Sequence, residues 1–148
     1  MLTNKGKYGL KAMVHLAGLP PGARIGVAEI AEAHRIPKKF LDAILGDLRN
    51  AGFVHSKKGP GGGYTLARPA EEIRIGHVVR ALDGPLAPLP CASRTAYRPC
   101  DDCADEAACS VRLAMLAVRN SIAGILDNLT LEQMRAMPQA EASLTYHI

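Results

Sequence analysis

The sequence predicts a mainly α fold with a small β-hairpin: a winged helix-turn-helix unit followed by a long dimerisation helix. Three observations carry that prediction. Helical periodicity in three short segments gives way, just after Asn50, to two β-prone runs flanking a glycine-rich tip. Basic charge gathers in the same half: residues 1–70 hold eleven Lys and Arg against four Asp and Glu, whereas residues 71–148 hold seven against ten. A further stretch of helical spacing, from Cys109 to about Leu129, stands behind a cysteine-rich segment with almost no apolar periodicity.

The elements follow in order. Lys5–Leu19 places Tyr8, Met13, Leu16 and Ala17 at helical spacing, and Leu19-Pro20-Pro21-Gly22 ends the run. Val27–Ala33 reads as a short helix, broken at His34-Arg35-Ile36-Pro37, and Pro37 suits the start of a third helix because its missing N–H has no partner there anyway. That helix, Lys38–Asn50, carries one apolar stripe of Phe40, Leu41, Ile44, Leu45 and Leu48, and closes at Ala51-Gly52. Phe53–His55 and Gly63–Leu66 read as a strand and its return. Arg74–Leu82 is a short amphipathic helix, and the Gly84–Ala108 segment, with Pro85, Pro88 and Pro90, reads as a loop that something other than an apolar core must order. The helix from Cys109 carries a continuous seam of Leu113, Leu116, Ile122, Ile125 and Leu126, expected to bury against a second copy. A short helix after Thr130 is expected to end near Pro138. The organisation expected is therefore a DNA-binding domain over 1–82, a cysteine-rich loop over 83–108, dimerisation and C-terminal helices over 109–136, and a flexible tail over 137–148.

Composition removes several classes. Hydrophobic residues make up 48% and charged residues 22%, the balance of an ordinary globular chain rather than a disordered or collagen-like one. Trp is absent and Phe occurs twice, so an aromatic platform for single strands lacks material. No apolar run reaches 18 residues and no signal-peptide core is present, which reads as a soluble, cytoplasmic protein without a membrane partner. The tip glycines do not form a phosphate-binding P-loop, because Gly63-Tyr64-Thr65-Leu66 after them reads as a strand and not as a helix. No Ser/His/Asp, paired-carboxylate or Cys/His constellation supports catalysis, so neither an enzyme nor a small-molecule substrate is expected.

The net +7 of the first half points to double-stranded DNA. Lys57 and Lys58 lie beside Gly59, Pro60, Gly61 and Gly62, a basic tip able to lie flat on a phosphate backbone. The first turn of the third helix offers Lys38 and Lys39 for phosphate or guanine and Asp42 for a cytosine amino group. A solvated hairpin and a dipole-stabilised acid are the plain alternatives for these residues. Helix, hairpin and charge asymmetry together favour the DNA interface.

All four cysteines fall within one segment as Cys91-x8-Cys100-x2-Cys103-x5-Cys109. In a cytoplasmic chain this reads as a metal or redox site before disulfides. Only Cys100 and Cys103 have the knuckle form of a zinc ribbon, so a loop wrapped around an iron–sulfur cluster, two-iron or four-iron, fits the irregular spacing better than zinc. Asp101, Asp102, Asp105 and Glu106 are read as solvating and turn-forming residues, since thiolates outcompete carboxylates for a soft metal. A zinc- or thiol-dependent regulator without iron is the competing reading, and an electron carrier is disfavoured because it leaves the basic half unexplained.

Leu2-Thr3-Asn4-Lys5-Gly6-Lys7-Tyr8, Lys58-Gly59-Pro60-Gly61-Gly62-Gly63-Tyr64, the cysteine loop before a long helix, and Ile125-Leu126-Asp127-Asn128-Leu129-Thr130-Leu131 together resemble the Rrf2 family of winged-helix regulators, which includes IscR, NsrR, RirA and CymR. The resemblance runs from Leu2 to about Met134. It implies a homodimeric repressor or activator, most simply a repressor, with Lys5, Lys7 and Tyr8 added to the DNA contacts. It also implies one cluster per subunit, held by Cys91, Cys103 and Cys109, sensing redox, iron, nitric oxide or sulfur status. Cys100 is extra to the family pattern, and Arg112 and Lys7 stand where some members place a fourth ligand. Thiolate softness favours Cys100 in that role, with a carboxylate such as Asp102 or a small external molecule as alternatives. One branch of the family carries no cluster and responds to cysteine supply. His15, on the first helix, reads as a surface or interface histidine.

Overall fold

The structure is a computed structural model that describes residues 2–145, with side chains described through residue 139. Helix α1 spans Asn4–Ala17, and the Thr3 hydroxyl caps it by accepting the Gly6 N–H at 3.4 Å. Helices α2 (Val27–His34) and α3 (Lys38–Asn50) form the helix-turn-helix. Between them Arg35 adopts a left-handed backbone, φ 54°, and the Ile36 N–H returns to Ala31 O at 2.9 Å, closing α2. This sharp reversal sets α3 across α2 and buries Ile36 between them.

Leu41, Ile44, Leu45 and Leu48 on α3 are wholly buried, each stabilising the fold by roughly 1.5–3 kcal/mol. Phe40 departs from the expected stripe. It stands at the rim, 38% exposed, with its ring edge-on to Tyr8 of α1 at 5.7 Å, because the first turn of α3 projects past the core toward the start of α1.

Strands β1 (Val54–Lys57) and β2 (Gly63–Leu66) pair antiparallel, Val54 opposite Leu66 and Lys57 opposite Gly63. At the tip the Gly62 N–H donates to Gly59 O at 2.9 Å, with Pro60 second in the turn and Gly61 third at φ 72°. These are the marks of a type II turn, in which the third position demands glycine. A Cβ on Gly62 would collide with Lys57 O. The base of the hairpin is anchored by Tyr64, which exchanges two backbone hydrogen bonds with Ile25 ahead of α2.

A 3-10 turn at Ala70–Glu72 leads to α4 (Ile75–Asp83), which buries Ile75, Val78, Val79 and Leu82 and packs on α1. Asp83 accepts the Thr3 N–H at 2.9 Å and the Thr3 hydroxyl at 2.5 Å, fastening the end of α4 to the start of α1. After the cysteine loop come α5 (Ser110–Leu126) and α6 (Leu131–Thr145). Ile75 N–H donates to Leu129 O and Leu131 N–H to Ile73 O, so the α5–α6 junction is stitched to the entry of α4. One hydrophobic cluster runs from Leu10 to Leu131, so segments 1–82 and 109–136 share a core.

Two expectations for these last helices change. The α5 seam divides: Ile122 and Leu126 pack on the shared core, whereas Leu113 and Ile125 are 50% and 67% exposed. Helix α6 does not stop near Pro138 but continues to Thr145, and residues 137–145 are helical rather than a loose tail. Proline there forgoes one backbone hydrogen bond, which flanking good helix formers (Met137, Gln139, Ala140, Glu141, Ala142) tolerate. The remainder of the expected tail, residues 146–148, lies outside the described residues.

Candidate functional site

Two regions carry chemistry. The first is the surface formed by α3 and the hairpin. Lys39, Lys57, Lys58, Gly59, Pro60 and Gly61 are exposed, and Gly62 is half-buried by the turn. Lys38 and Asp42 face each other one turn apart at 3.2 Å, so Asp42 is held by its neighbour in the unbound chain. Lys5 lies 2.7 Å from Asp47 and links α1 to α3, and Tyr8 supports Phe40 beside it. Lys7 sits elsewhere, on an apolar groove between α1 and α6 with Leu2, Leu10 and Met134. Arg68, which the sequence reading passed over, lays its guanidinium 5.0 Å above the Phe53 ring at the foot of the hairpin; the whole hairpin separates the two in sequence, so no local pattern joined them.

The second region is the cysteine loop. Cys91 lies in a 3-10 turn, Pro90–Ala92, and is 3% exposed. Cys109 is the N-cap of α5, its sulfur accepting the Arg112 N–H at 3.4 Å. These two, with Cys100, Cys103, Leu89, Asp102, Val111 and Arg112, line one cavity of about 250 Å³. The neighbouring Cys91 thiol, by its polar contact first and its charge second, pushes the Cys100 thiol up. Cys103 is raised by desolvation first and then by the charge of Cys109. Among the described residues no three His, Cys, Asp or Glu side chains converge closely enough for a single metal ion. As a donor set, four thiols around one cavity fit thiolate-bound iron or another soft metal.

Polar contacts order this loop. Arg112 Nε donates to Cys91 O at 3.1 Å and lies 3.8 Å from Glu106, whose carboxylate accepts the Tyr97 hydroxyl. Arg112, singled out in the sequence only as standing where a ligand might be, therefore closes the loop onto α5. At the other end of α5, Asp127 takes two hydrogen bonds from Arg80 of α4, at 2.6 and 2.9 Å. Those bonds lower the Asp127 carboxyl and raise the Arg80 guanidinium. Gly76 permits the approach, since a Cβ there would strike Asp127 Oδ1. His15 is occupied away from the loop: its Nδ1 lies 3.0 Å from His34 Nε2.

A helix-turn-helix with an anchored wing, carrying a thiol-lined cavity at the head of a long helix, defines the winged-helix class of transcriptional regulators. Residues 2–136 match the model of the Rrf2 family, described as iron-dependent transcriptional regulators. The chain belongs to that family, whose members are regulators and not enzymes. A curated relative from Rhodobacter capsulatus, an rrf2-like HTH-type transcriptional regulator, is 47% identical, covering 97% of this chain and 98% of its own. Among solved structures, CymR of B. subtilis, the global cysteine regulator, superposes with a TM-score of 0.76 at 28% identity over 93% of this chain and 97% of that one. IscR of T. potens gives 0.73 at 28% identity over 97% and 90%. The oxidized form of Staphylococcus aureus CymR gives 0.69 at 30% identity over 91% and 95%. No helix among the described residues is long and apolar enough to cross a membrane.

Proposed function

We propose that the chain is a cytoplasmic, homodimeric DNA-binding repressor whose operator affinity is set by an iron–sulfur cluster in the cysteine cavity. Cys91, Cys103 and Cys109 are the proposed ligands, with Cys100 completing the set. The observation that carries this reading is the cavity at the head of α5, which all four cysteines line. A bound cluster would supply a centre that changes charge or falls apart with redox, iron or nitric oxide status. The protein's part is mechanical and electrostatic. The loop braces Cys109 at the first turn of α5, and the far end of α5 is clamped to α4 by Asp127 and Arg80. A shift of α5 is thereby passed to the domain that holds the wing. Coupling of this kind is typically about 1–3 kcal/mol, or roughly 5–150-fold in affinity.

Anaerobic purification followed by iron and sulfide analysis tests the cluster, and an operator selected from randomised duplexes then tests the coupling. Brown protein that changes operator affinity on losing iron is the expected result; colourless protein bearing zinc or nothing rejects it. On the DNA side, two wings on one duplex call for half-sites about 34–36 Å apart. Replacing Lys57 and Lys58 with Ala should weaken binding to all sequences and lower the salt slope by about 1–2. An unchanged slope removes the wing from the interface.

The second reading is a cluster-free thiol regulator, in which the four free cysteines act without iron. The likeness to a global cysteine regulator, and to the oxidized form of a second CymR, supports it.

A further inference from the structure

Two histidines that the proposed function does not use meet where α1 crosses α2. His15 Nδ1 lies 3.0 Å from His34 Nε2, with the rings nearly perpendicular at 79°. Each stands in the last turn of its helix, so the negative ends of two helix dipoles lie beside the pair and favour a cation. Both side chains are half-buried. Burial first, then the charges of His15 and Lys11, keeps His34 neutral near pH 7, and a neutral imidazole has a lone pair to give. Lys11, one turn before His15 on α1, opposes a cation here, but its side chain is exposed and its charge is screened by water and salt. Two imidazole nitrogens about 2.0–2.1 Å from one ion stand roughly 2.8–3.0 Å apart when they meet it at a right angle, and about 3.3 Å apart at a tetrahedral one. The separation in this chain is the right-angled one, which suits copper and nickel rather than tetrahedral zinc.

We propose that His15 and His34 form a two-imidazole site for a divalent ion of tetragonal preference, nickel or copper, which pins α1 to α2. Among the described residues no third His, Cys, Asp or Glu joins them, so water or an external base completes the coordination. In the free chain one N–H lies between the two facing nitrogens. When the ion binds, that proton leaves its nitrogen for water and the far nitrogen of the same ring takes one up. Both rings stay neutral, and both facing lone pairs are turned to the metal. Helix α2 is the first helix of the helix-turn-helix, so the bound ion braces the support on which α3 is set. No cysteine takes part, and the site is independent of what the cysteine cavity holds.

The test uses the full chain, titrated with nickel chloride at free-ion levels fixed by a metal buffer, so that uptake by the thiols does not enter the count. NMR of the imidazole nitrogens reads the site. Paramagnetic broadening should strike His15 and His34 together, at nickel levels that leave the exposed His55 and His77 sharp. His15→Gln and His34→Gln should each raise the free nickel needed to broaden the remaining imidazole by about tenfold or more, because the second contact within one molecule is lost. Broadening spread evenly over all the imidazoles, or full affinity in either variant, leaves only a shared proton between two rings and overturns the site. So does nickel that is held by the chain but leaves His15 and His34 sharp. The wild-type titration decides the matter even if a variant folds poorly. Failure here leaves the cluster reading standing, and iron-free protein that broadens as expected would do the reverse.

Discussion

His34 occupies the last turn of α2 with Lys11 and His15 of α1 facing it. Burial first, then the charges of His15 and Lys11, lower its pKa below the ordinary 6.5. Between the lowered value and 6.5 the unfolded chain binds the extra proton more readily than the folded one, so stability rises with pH across that window and is lost as pH falls through it. The melting temperature should therefore climb as pH rises toward about 6.5 and level off above it, and His34→Gln should flatten the climb. An equal slope in the variant would assign the effect to another group. Nothing in the sequence joined His15 to His34, because nineteen residues and a helix crossing separate them. Arg112 was hidden for a similar reason, since its partners, the Cys91 carbonyl and Glu106, are a backbone atom and a loop acid with no pattern of their own.

Between elements, the Arg80–Asp127 contact fixes α5 to α4. Both side chains are partly exposed, which limits the pair to about 1 kcal/mol after solvent screening. Asp127→Asn should cost about that much stability near neutral pH. Because the Asp127 carboxyl is held low, the wild-type advantage is present above about pH 3.9 and fades as pH falls through the folded value below it. Paired denaturation curves at neutral and acid pH check the sign, and a penalty that survives at acid pH would rule out the ion pair as its source. Pro138→Ala should raise the helical signal and the stability of α6, since an interior proline costs about 3 kcal/mol. No gain would mean that α6 already breaks there in solution. The elements that reported themselves most clearly in the sequence were α3 and β2, whose ends are marked by Pro37, Gly52 and the tip glycines. Phe40 and the divided α5 seam were not legible, because apolar spacing shows which faces are sticky but not which of them finds a neighbour within the same chain.

At the scale of the whole molecule, α5 presents Val111, Leu113, Val118 and Ile125 outward, all between 42% and 67% exposed. The proposed dimer would cover this face. Glu in place of Val118 and Ile125 should give monomers by light scattering, lose operator binding, and leave the melting of the monomer fold nearly unchanged. Glu at Ile122 should instead unfold the chain, because that residue packs on the core. Dimers that survive both exposed changes would move the interface elsewhere. The winged unit was legible as a whole because its charge, glycines and periodicities agree. The cysteine loop was legible as a site but not in its path, which depends on how the Arg98 N–H and Pro90 O fold the segment back.

Helix α6 lies along α1, and Leu131, wholly buried, is held by Ile73. Helix α1, Asn4–Ala17, thus packs against a helix that begins only at Leu131. A chain truncated after Leu129 should leave Leu10 without Met134 beside it and be cut faster by proteases than the full chain, although its hairpin is complete. The hairpin can therefore form before the body that carries it is closed.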